Sequence, residues 1–485
     1  MNFNPIATTP KTTAFNESLR TPDTSFKRRS LKRLGYTNRR EVKLASSILD
    51  VETSNNVLPN EPKTRSNNQF VTDIVQLPQP IFSAPALNLI SRASTTVFPS
   101  QQQPDLVTPL DSAISLTSKP FSKLYVFGDS LSDQGNIFNI TKFANSLSSQ
   151  IPVIPSAPYF EGRFSNGPVW IDYLSAGLGL PLQVSSKLSV LAPSIPIPSP
   201  ITLVNGELRA SPFFNGATTT QSVNFAFGGA QTGFTSGLAG TFSSLIPGVL
   251  QQVSWFINDH ITAGKTADSN ALYVVFAGGN DYLDPSNALQ PTQSVTNIAL
   301  SIAALYSQGA RNFLIPNLPD LGITPRALKG GTDVETRLSN LAIAHNTLLN
   351  QAIDGLTNLL PQSHFIPLNF YGLLNDIAAN PSQLGITNIT DPSFDSLTGT
   401  IVGDPNAHLF WDEIHPTAVG HLGLGISSLV SVLNSTPQVN QLTASDSILL
   451  SLGNQSSLDQ NALLPNIFAP KFNQPDILLG IPNQN

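Results

Sequence analysis

The sequence predicts an α/β protein with a mainly parallel sheet that helices cover on both faces. Short apolar runs of strand length alternate with longer segments of helical periodicity through the middle of the chain. The 485 residues are 40% hydrophobic, which is enough to bury a large core, but only 12% are charged. The net charge of −6 gives no electrostatic reason to expect a nucleic acid partner.

Four apolar runs have the length and composition of buried strands. They are KLYVFG (123–128), ALYVVFAGGND (271–281), NFLIPNLPD (312–320) and HFIPLNF (364–370). Helical spacing predicts four helices, at 247–262, 294–310, about 334–360 and 415–433. Pro416 near the first turn of the last helix is a typical helix start. Two segments rich in Pro and Ser, at about 140–160 and 185–222, are predicted to be long loops.

Composition divides the chain into three parts. Residues 1–118 are rich in Asn, Thr, Ser, Pro and Gln with little periodicity, and are predicted to be disordered. Residues 119–435 form the predicted folded domain, and 436–485 a polar C-terminal tail. Uninterrupted apolar stretches of membrane-spanning length are absent, so no transmembrane segment is expected. The first residues lack the apolar stretch of a secretory signal, which leaves a cytoplasmic location open.

The absence of cysteine excludes disulfides, thiolate nucleophiles and cysteine-ligated metals. The histidines and carboxylates show no metal-ligand spacing, so neither a metal nor a cofactor is predicted.

Reactive side chains are expected where the parallel strands end, because the carboxyl ends of such strands meet at one edge of the sheet. Ser130 follows the first strand in GDSL, Asn280 follows the second in GGND, and Asp412 and His415 stand in WDEIHP before the last helix. The sequence therefore places a serine, an asparagine and an Asp/His pair at one edge.

These residue types suit acyl transfer. A serine hydroxyl needs a base in contact, which His415 can supply, and Asp412 three residues earlier can orient the imidazole ring. The Asn280 amide and the Ser130 backbone N–H can stabilise a developing oxyanion. Gly167, in a turn before a helix, can bring a further N–H close to a substrate.

Each residue also has an ordinary structural explanation. Ser130 taken alone is more typical of a helix cap, and the Asp412–His415 pair could cap the last helix. Asp129 and Asp281 are predicted to form hydrogen bonds behind the reacting groups. Ser132 and Asp133 are predicted to supply the helix cap instead of Ser130.

The motifs GDSLSDQGN, GRFSNG, GGND and DEIHP, in this order, resemble those of the GDSL esterase/lipase family of SGNH hydrolases. NFAFGGA at 224–230 and FWDEIHPTAVGH strengthen the resemblance, which covers about 120–435. It implies a three-layer α/β/α sandwich with a flavodoxin-like sheet and no cofactor. Ser130 matches the family nucleophile, Asp412 and His415 its Asp-x-x-His pair, and Gly167 and Asn280 its oxyanion donors beside the Ser130 amide.

The resemblance implies a serine hydrolase that cleaves lipid or simple acyl esters through an acyl-enzyme. An acyltransferase or a phospholipase of the same fold is the alternative within enzymes, and a catalytically silent binding protein is the alternative outside them. The resemblance also favours an extracellular or periplasmic location and a monomer.

Overall fold

The computed structural model describes residues 119–204, 207–236, 245–285 and 288–436. The predicted disordered segment 1–118 and the predicted tail, apart from its first residue, lie outside the described residues.

A six-stranded sheet forms the centre of the fold, with strand order β10-β9-β8-β1-β7-β2. Its strands are β1 (Leu124–Gly128), β2 (Leu182–Val184), β7 (Ser222–Asn224), β8 (Leu272–Phe276), β9 (Asn312–Pro316) and β10 (His364–Leu368). Every neighbouring pair in this sheet is parallel, and β1 lies between β7 and β8. The four predicted strands are confirmed. Sequence reasoning missed β2 and β7, because three residues are too few to show a period of two.

Both faces of the sheet are buried, as the apolar strand sequences predict. In β1, Tyr125 and Phe127 belong to one core, whereas Leu124 and Val126 belong to another, because successive side chains point to opposite faces. Helical residues complete each core, among them Phe256 on the first face and Trp170 on the second. The sheet therefore lies between two helical layers, which confirms the predicted α/β fold.

The four predicted helices are present, together with others that the sequence did not predict. Within the described residues they are α1 (Asn136–Leu147), α2 (Trp170–Leu178), α3 (Ser185–Leu188), α4 (Val249–Thr262), α5 (Asn280–Leu283), α6 (Pro291–Gln308), α7 (Pro325–Gly330), α8 (Thr332–Leu359), α9 (Phe370–Ala379) and α10 (Ala418–Ser435). The four predicted helices correspond to α4, α6, α8 and α10. Helix α10 is long and apolar enough by composition to cross a membrane, but Leu424, Val432 and Leu433 pack in the domain core.

Both predicted long loops contain regular structure. Helix α1 occupies the first part of the segment 140–160, although its Asn, Thr and β-branched residues have low helix propensity. Burial of Ile137, Ile140 and Ala144 along one face compensates for that propensity.

The segment 185–222 holds α3 and two antiparallel hairpins, so its assignment as a loop was wrong. The hairpins are β3 (Val190–Ala192) with β4 (Ile195–Pro198), and β5 (Ile201–Val204) with β6 (Glu207–Ala210). Prolines in β4 are tolerated because this short strand has a single partner.

Four short strands come before the last helix in the chain. They are β11 (Asn388–Pro392), β12 (Phe394–Asp395), β13 (Thr400–Ile401) and β14 (His408–Phe410). Strand β14 pairs with β11, and the chain then turns through residues 411–417 into α10. This turn carries the predicted Asp/His pair.

Candidate active site

Ser130 lies two residues beyond β1, at the carboxyl edge of the central strand. The preceding Gly128 packs so closely on β8 that a Cβ there would lie 2.4 Å from the carbonyl oxygen of Phe276. The Gln252 side chain accepts from the Gly128 N–H and donates to its carbonyl, each at 2.9 Å. The strand end that presents Ser130 is therefore fixed by β8 on one side and by α4 on the other.

Asp133 organises the turn between Ser130 and α1. Its carboxylate accepts from the backbone N–H groups of Gly135, Asn136 and Ile137 at 2.8, 2.6 and 3.2 Å, which confirms its predicted capping role. It also accepts from Gly228 N–H at 2.8 Å, which joins this turn to the segment after β7. Burial raises the pKa of Asp133 to about 6, although these four N–H groups oppose the rise.

Ser132 does not cap the helix. Its hydroxyl oxygen accepts from the indole N–H of Trp170 at 3.1 Å, so it links the turn to α2. The prediction that Ser132 shares the cap was wrong, because Asp133 already satisfies the N–H groups of the first turn.

Ser130, His415 and Asp412 form one continuous chain of hydrogen bonds. His415 Nε2 lies 2.8 Å from Ser130 Oγ, and His415 Nδ1 lies 2.7 Å from Asp412 Oδ2. With the ring proton on Nδ1, which the neighbouring carboxylate favours, Nε2 accepts from the serine hydroxyl. Residues 285 positions apart in the chain are thus brought into the arrangement that activates a serine.

The short turn 412–415 holds Asp412 in its ionised form. Asp412 Oδ1 accepts from the backbone N–H groups of Ile414 and His415 at 2.8 and 2.7 Å. Burial opposes ionisation of this carboxyl, but its interactions with His415 and its hydrogen bond from the Ile414 N–H outweigh burial and hold its pKa below the ordinary value.

Tyr159 makes a contact that sequence reasoning missed. Its hydroxyl donates to Asp412 Oδ2 at 2.7 Å, across 253 residues of chain. A tyrosine in a loop carries no motif of its own, and only the fold brings it to Asp412.

Asn280 lies at the start of α5, directly after β8, and its amide is held by the segment that follows β7. Asn280 Nδ2 donates one hydrogen to the Ala230 carbonyl at 2.9 Å, and the backbone carbonyl of Asn280 accepts from Gln231 Nε2 at 3.3 Å. An amide nitrogen carries two hydrogens, so a second one remains for a substrate.

Asp281 strengthens the same junction from behind. Its carboxylate accepts from the N–H and the hydroxyl of Thr232 at 3.0 and 2.6 Å. Burial raises the pKa of Asp281, against the effect of these hydrogen bonds. These contacts tie Asp281 to the segment after β7, and its predicted position behind the reacting groups stays a prediction.

Gly167 lies beside the turn that carries His415. A Cβ on Gly167 would come within 2.7 Å of Ala418 Cβ, and the adjacent Asn166 accepts from Ala418 N–H at 2.8 Å. Gly167 is not among the residues that line the cavity containing Ser130, Asn280 and His415.

Gly229 presents a second candidate donor at the oxyanion side. It follows β7, next to β1, and its φ of 82° is one that glycine adopts without strain. Within the described residues its N–H has no hydrogen-bond acceptor, and the same holds for the N–H groups of Ser130 and Gly167. Like Gly167, Gly229 does not line the cavity, but the adjacent Ala230 carbonyl accepts from Asn280 Nδ2. The two adjacent glycines in NFAFGGA, which follow a short apolar run, are the sequence pattern that could have identified this segment as part of the site.

Asp129 is buried beside Ser130 and interacts electrostatically with both His415 and Asp281. One carboxylate oxygen accepts from Leu131 N–H at 3.1 Å. Burial raises the pKa of Asp129 to about 7, and the negative charge of Asp281 adds to the rise, whereas Leu131 N–H and His415 oppose it.

A largely apolar cavity of about 40 Å³ opens beside Ser130, Asn280 and His415. Its apolar wall includes Phe276, Phe370, Leu374, Phe410 and Leu424. Among the described residues, no group of three or more His, Asp or Glu side chains is arranged to hold a metal ion. The site thus joins an activated serine to an apolar cavity.

Comparison with known proteins agrees with this geometry. The sequence model of the family described as GDSL-like lipase/acylhydrolase matches residues 124–425. A GDSL esterase/lipase of Arabidopsis thaliana is 28% identical over 330 residues, 61% of this chain and 84% of that protein. Acetylajmalan esterase 2 of Rauvolfia serpentina is 26% identical over 349 residues, 62% of this chain and 88% of that protein.

Among solved structures, an acetyl xylan esterase aligns with 64% of this chain and 99% of its own, at 11% identity and a TM-score of 0.29. A likeness of that size carries no argument about this chain. The family match extends from β1 through the turn that carries Asp412 and His415 into α10, over more than half of the sequence. The chain therefore belongs to the GDSL-like lipase/acylhydrolase family and is a hydrolase of ester bonds.

Proposed function

We propose that this protein cleaves carboxylic esters through an acyl-enzyme intermediate on Ser130. The observation that carries the proposal is the hydrogen-bonded chain of Ser130 Oγ, the His415 ring and Asp412, with contacts of 2.8 and 2.7 Å. His415 Nε2 takes the hydroxyl proton as Oγ attacks the ester carbonyl, and the carbonyl oxygen becomes an oxyanion. Asp412 orients the ring and stabilises its positive charge.

The intermediate then collapses with loss of the alcohol. The bond between the carbonyl carbon and the alkoxy oxygen breaks, and His415 gives its proton to that oxygen. A water molecule next loses a proton to His415 and attacks the acyl-enzyme, which releases the carboxylic acid and restores Ser130. Each proton that His415 accepts is returned within the same half-reaction.

The Asn280 amide and the Ser130 N–H are the proposed donors to the oxyanion. Asn280 is supported by its fixed side chain and by its place on the cavity wall. For the third donor, the resemblance favours Gly167, whereas the contact between Asn280 and Ala230, the residue next to Gly229, favours Gly229. Donors of this kind stabilise charge that appears only in the transition state, so their removal should lower kcat.

The cavity supports a short acyl chain as the substrate group that enters it. One water molecule requires roughly 10–15 Å³ by the same measure, so the cavity of about 40 Å³ has room for roughly three or four heavy atoms. Acetyl to butyryl groups have two to four carbon atoms, and their carbonyl oxygen would lie at the oxyanion donors instead of in the cavity. The name of the Rauvolfia relative, an esterase of acetylajmalan, is consistent with an acetyl ester.

The nucleophile is tested with Ser130→Ala on nitrophenyl acetate. We expect kcat to fall by about a millionfold, because the serine acts as a unit with its base. Ser132→Ala is the matched control, since Ser132 lies in the same turn but bonds to Trp170. A fluorophosphonate should label Ser130 in the folded wild-type protein. Activity retained by Ser130→Ala, or label found on another residue, would refute the mechanism.

The acyl-chain proposal is tested with nitrophenyl esters of increasing chain length. We expect kcat/KM to be highest for acetyl to butyryl esters, and the Leu374→Ala enzyme, whose cavity is larger, to prefer longer chains. Ile377→Ala is the matched control, because Ile377 is buried on the same helix but does not line the cavity. A wild-type kcat/KM that keeps rising beyond octanoyl would exclude a short-acyl enzyme and leave the Ser130 mechanism intact.

A further inference from the structure

We infer that Tyr159 is a positioning residue for the proposed reaction: its hydroxyl fixes the Asp412 carboxylate, which in turn holds the His415 ring against Ser130. This inference rests on the proposed function, since it assigns Tyr159 a role through Asp412 and His415.

Tyr159 completes the hydrogen bonding of the Asp412 carboxylate. Oδ1 accepts from two backbone N–H groups of the 412–415 turn, and Oδ2 accepts from His415 Nδ1 and the Tyr159 hydroxyl, each at 2.7 Å. Because Asp412 is 7% exposed, water has little access to replace a lost donor. Without the Tyr159 hydroxyl, Oδ2 would keep only its bond to His415 Nδ1, so this oxygen would be held less firmly and the ring bonded to it would be less precisely oriented.

The fold holds the Tyr159 ring from three separate segments. Its centroid lies 6.1 Å from Phe164, 5.4 Å from Phe394 and 6.0 Å from Trp411, all in edge-to-face geometry. Phe394 stacks on Trp411, the residue directly before Asp412, and Phe164 packs against the His415 ring at 5.1 Å. These rings link Tyr159 to both members of the Asp/His pair, so the hydroxyl is placed by rigid packing.

Tyr159 remains a hydrogen-bond donor over the working pH range. Burial, and then the negative charge of Asp412, raise the pKa of its hydroxyl far above the ordinary value for tyrosine. Among the residues that the structure describes, Asp129 and His421 also interact electrostatically with the Asp412–His415 pair. Burial lowers the pKa of His421 to about 3, so His421 is neutral above that pH, and Asp129 titrates near neutral pH.

Tyr159→Phe removes the hydroxyl and keeps the ring packing. We expect kcat for nitrophenyl acetate to fall about tenfold with KM changed by less than twofold, since the lost bond involves a charged acceptor. The acidic limb of the pH–rate profile should move to higher pH, because the Asp412–His415 pair binds a proton more readily once the carboxylate has lost a donor.

Tyr273→Phe is the matched control. Its hydroxyl donates to the Asp268 carbonyl at 2.9 Å. Asp268 precedes β8, so this bond lies at the amino ends of the parallel strands, away from Ser130. This variant should lose a hydrogen bond and some thermal stability, with kcat and the pH profile unchanged. A merely structural role for Tyr159 predicts the same behaviour in both variants.

A Tyr159→Phe enzyme with kcat within twofold of wild type and an unmoved acidic limb would overturn the inference. If that variant does not fold, a ring-fluorinated tyrosine at position 159 keeps the hydroxyl but makes it a stronger donor. The acidic limb should then move to lower pH, and an unmoved limb would again overturn the inference. Loss of the proposed function would instead appear as activity retained by Ser130→Ala.

Discussion

The two sides of Ser130 are built differently. The base side is one short turn, in which Asp412 and His415 are three residues apart and bond to each other directly. The oxyanion side joins segments from different strands, because Asn280 after β8 is tied to Ala230 after β7. Local spacing determines the first, whereas strand pairing in three dimensions determines the second. This difference explains why the base side could be read from a motif and the oxyanion side only in part.

The largest effect is expected on the base side, from Asp412→Asn. An amide in place of the carboxylate can still contact His415, but it favours the wrong ring tautomer and cannot stabilise the positive ring. We expect kcat to fall about ten-thousandfold, measured with nitrophenyl acetate.

Asp404→Asn is the control for that change, since Asp404 is a nearby aspartate whose side chain caps the backbone at Asn406. It should leave kcat within about twofold. A loss of less than a hundredfold in Asp412→Asn would show that the base side does not depend on its carboxylate.

A smaller effect is expected on the oxyanion side, from Asn280→Ala. Removal of one such donor should lower kcat by about a hundredfold to a thousandfold, or about 3 kcal/mol, with little change in KM. Asn312→Ala is the control, because the Asn312 side-chain amide, at the amino end of β9, donates to the backbone carbonyls of Ser269 and Ala271 ahead of β8.

The third donor can be identified by replacing a single backbone amide with an ester, which removes one N–H and keeps the glycine. This change at position 229 should lower kcat by about tenfold to a hundredfold if Gly229 contacts the oxyanion. The same change at position 167 is the matched comparison, and a larger loss there would support the assignment made from the sequence motif. Equal, small losses at both would limit the oxyanion donors to Ser130 and Asn280.

The sequence predicted those parts of the molecule that depend on local pattern. Apolar runs of five residues revealed β1, β8, β9 and β10, and the spacing in DEIHP revealed a base with its partner. It could not reveal β7, because three residues carry no period, and the glycines that follow β7 were not recognised as part of the site. Tyr159 was missed for a related reason, since its contact with Asp412 depends on packing among three distant segments.

The smallest effect concerns Asp129, which lies between the two sides and responds to both. His415 lowers and Asp281 raises its pKa, but burial dominates and brings it to about 7 from 3.8. The folded protein therefore keeps this proton between about pH 4 and 7, whereas the unfolded chain loses it, so folding stability should fall as pH rises through this window. The slope should be about 1.4 kcal/mol per pH unit, and it should level off above pH 7. Asp129→Asn cannot titrate, so in urea unfolding across this range the free energy of unfolding of wild type should fall relative to that of the variant as the pH rises. Asp133 contributes equally to both curves and cancels in that difference. If the free energies of unfolding of the two proteins change in parallel with pH, Asp129 is solvated well enough to keep its ordinary pKa. It then does not link the base side to the oxyanion side electrostatically.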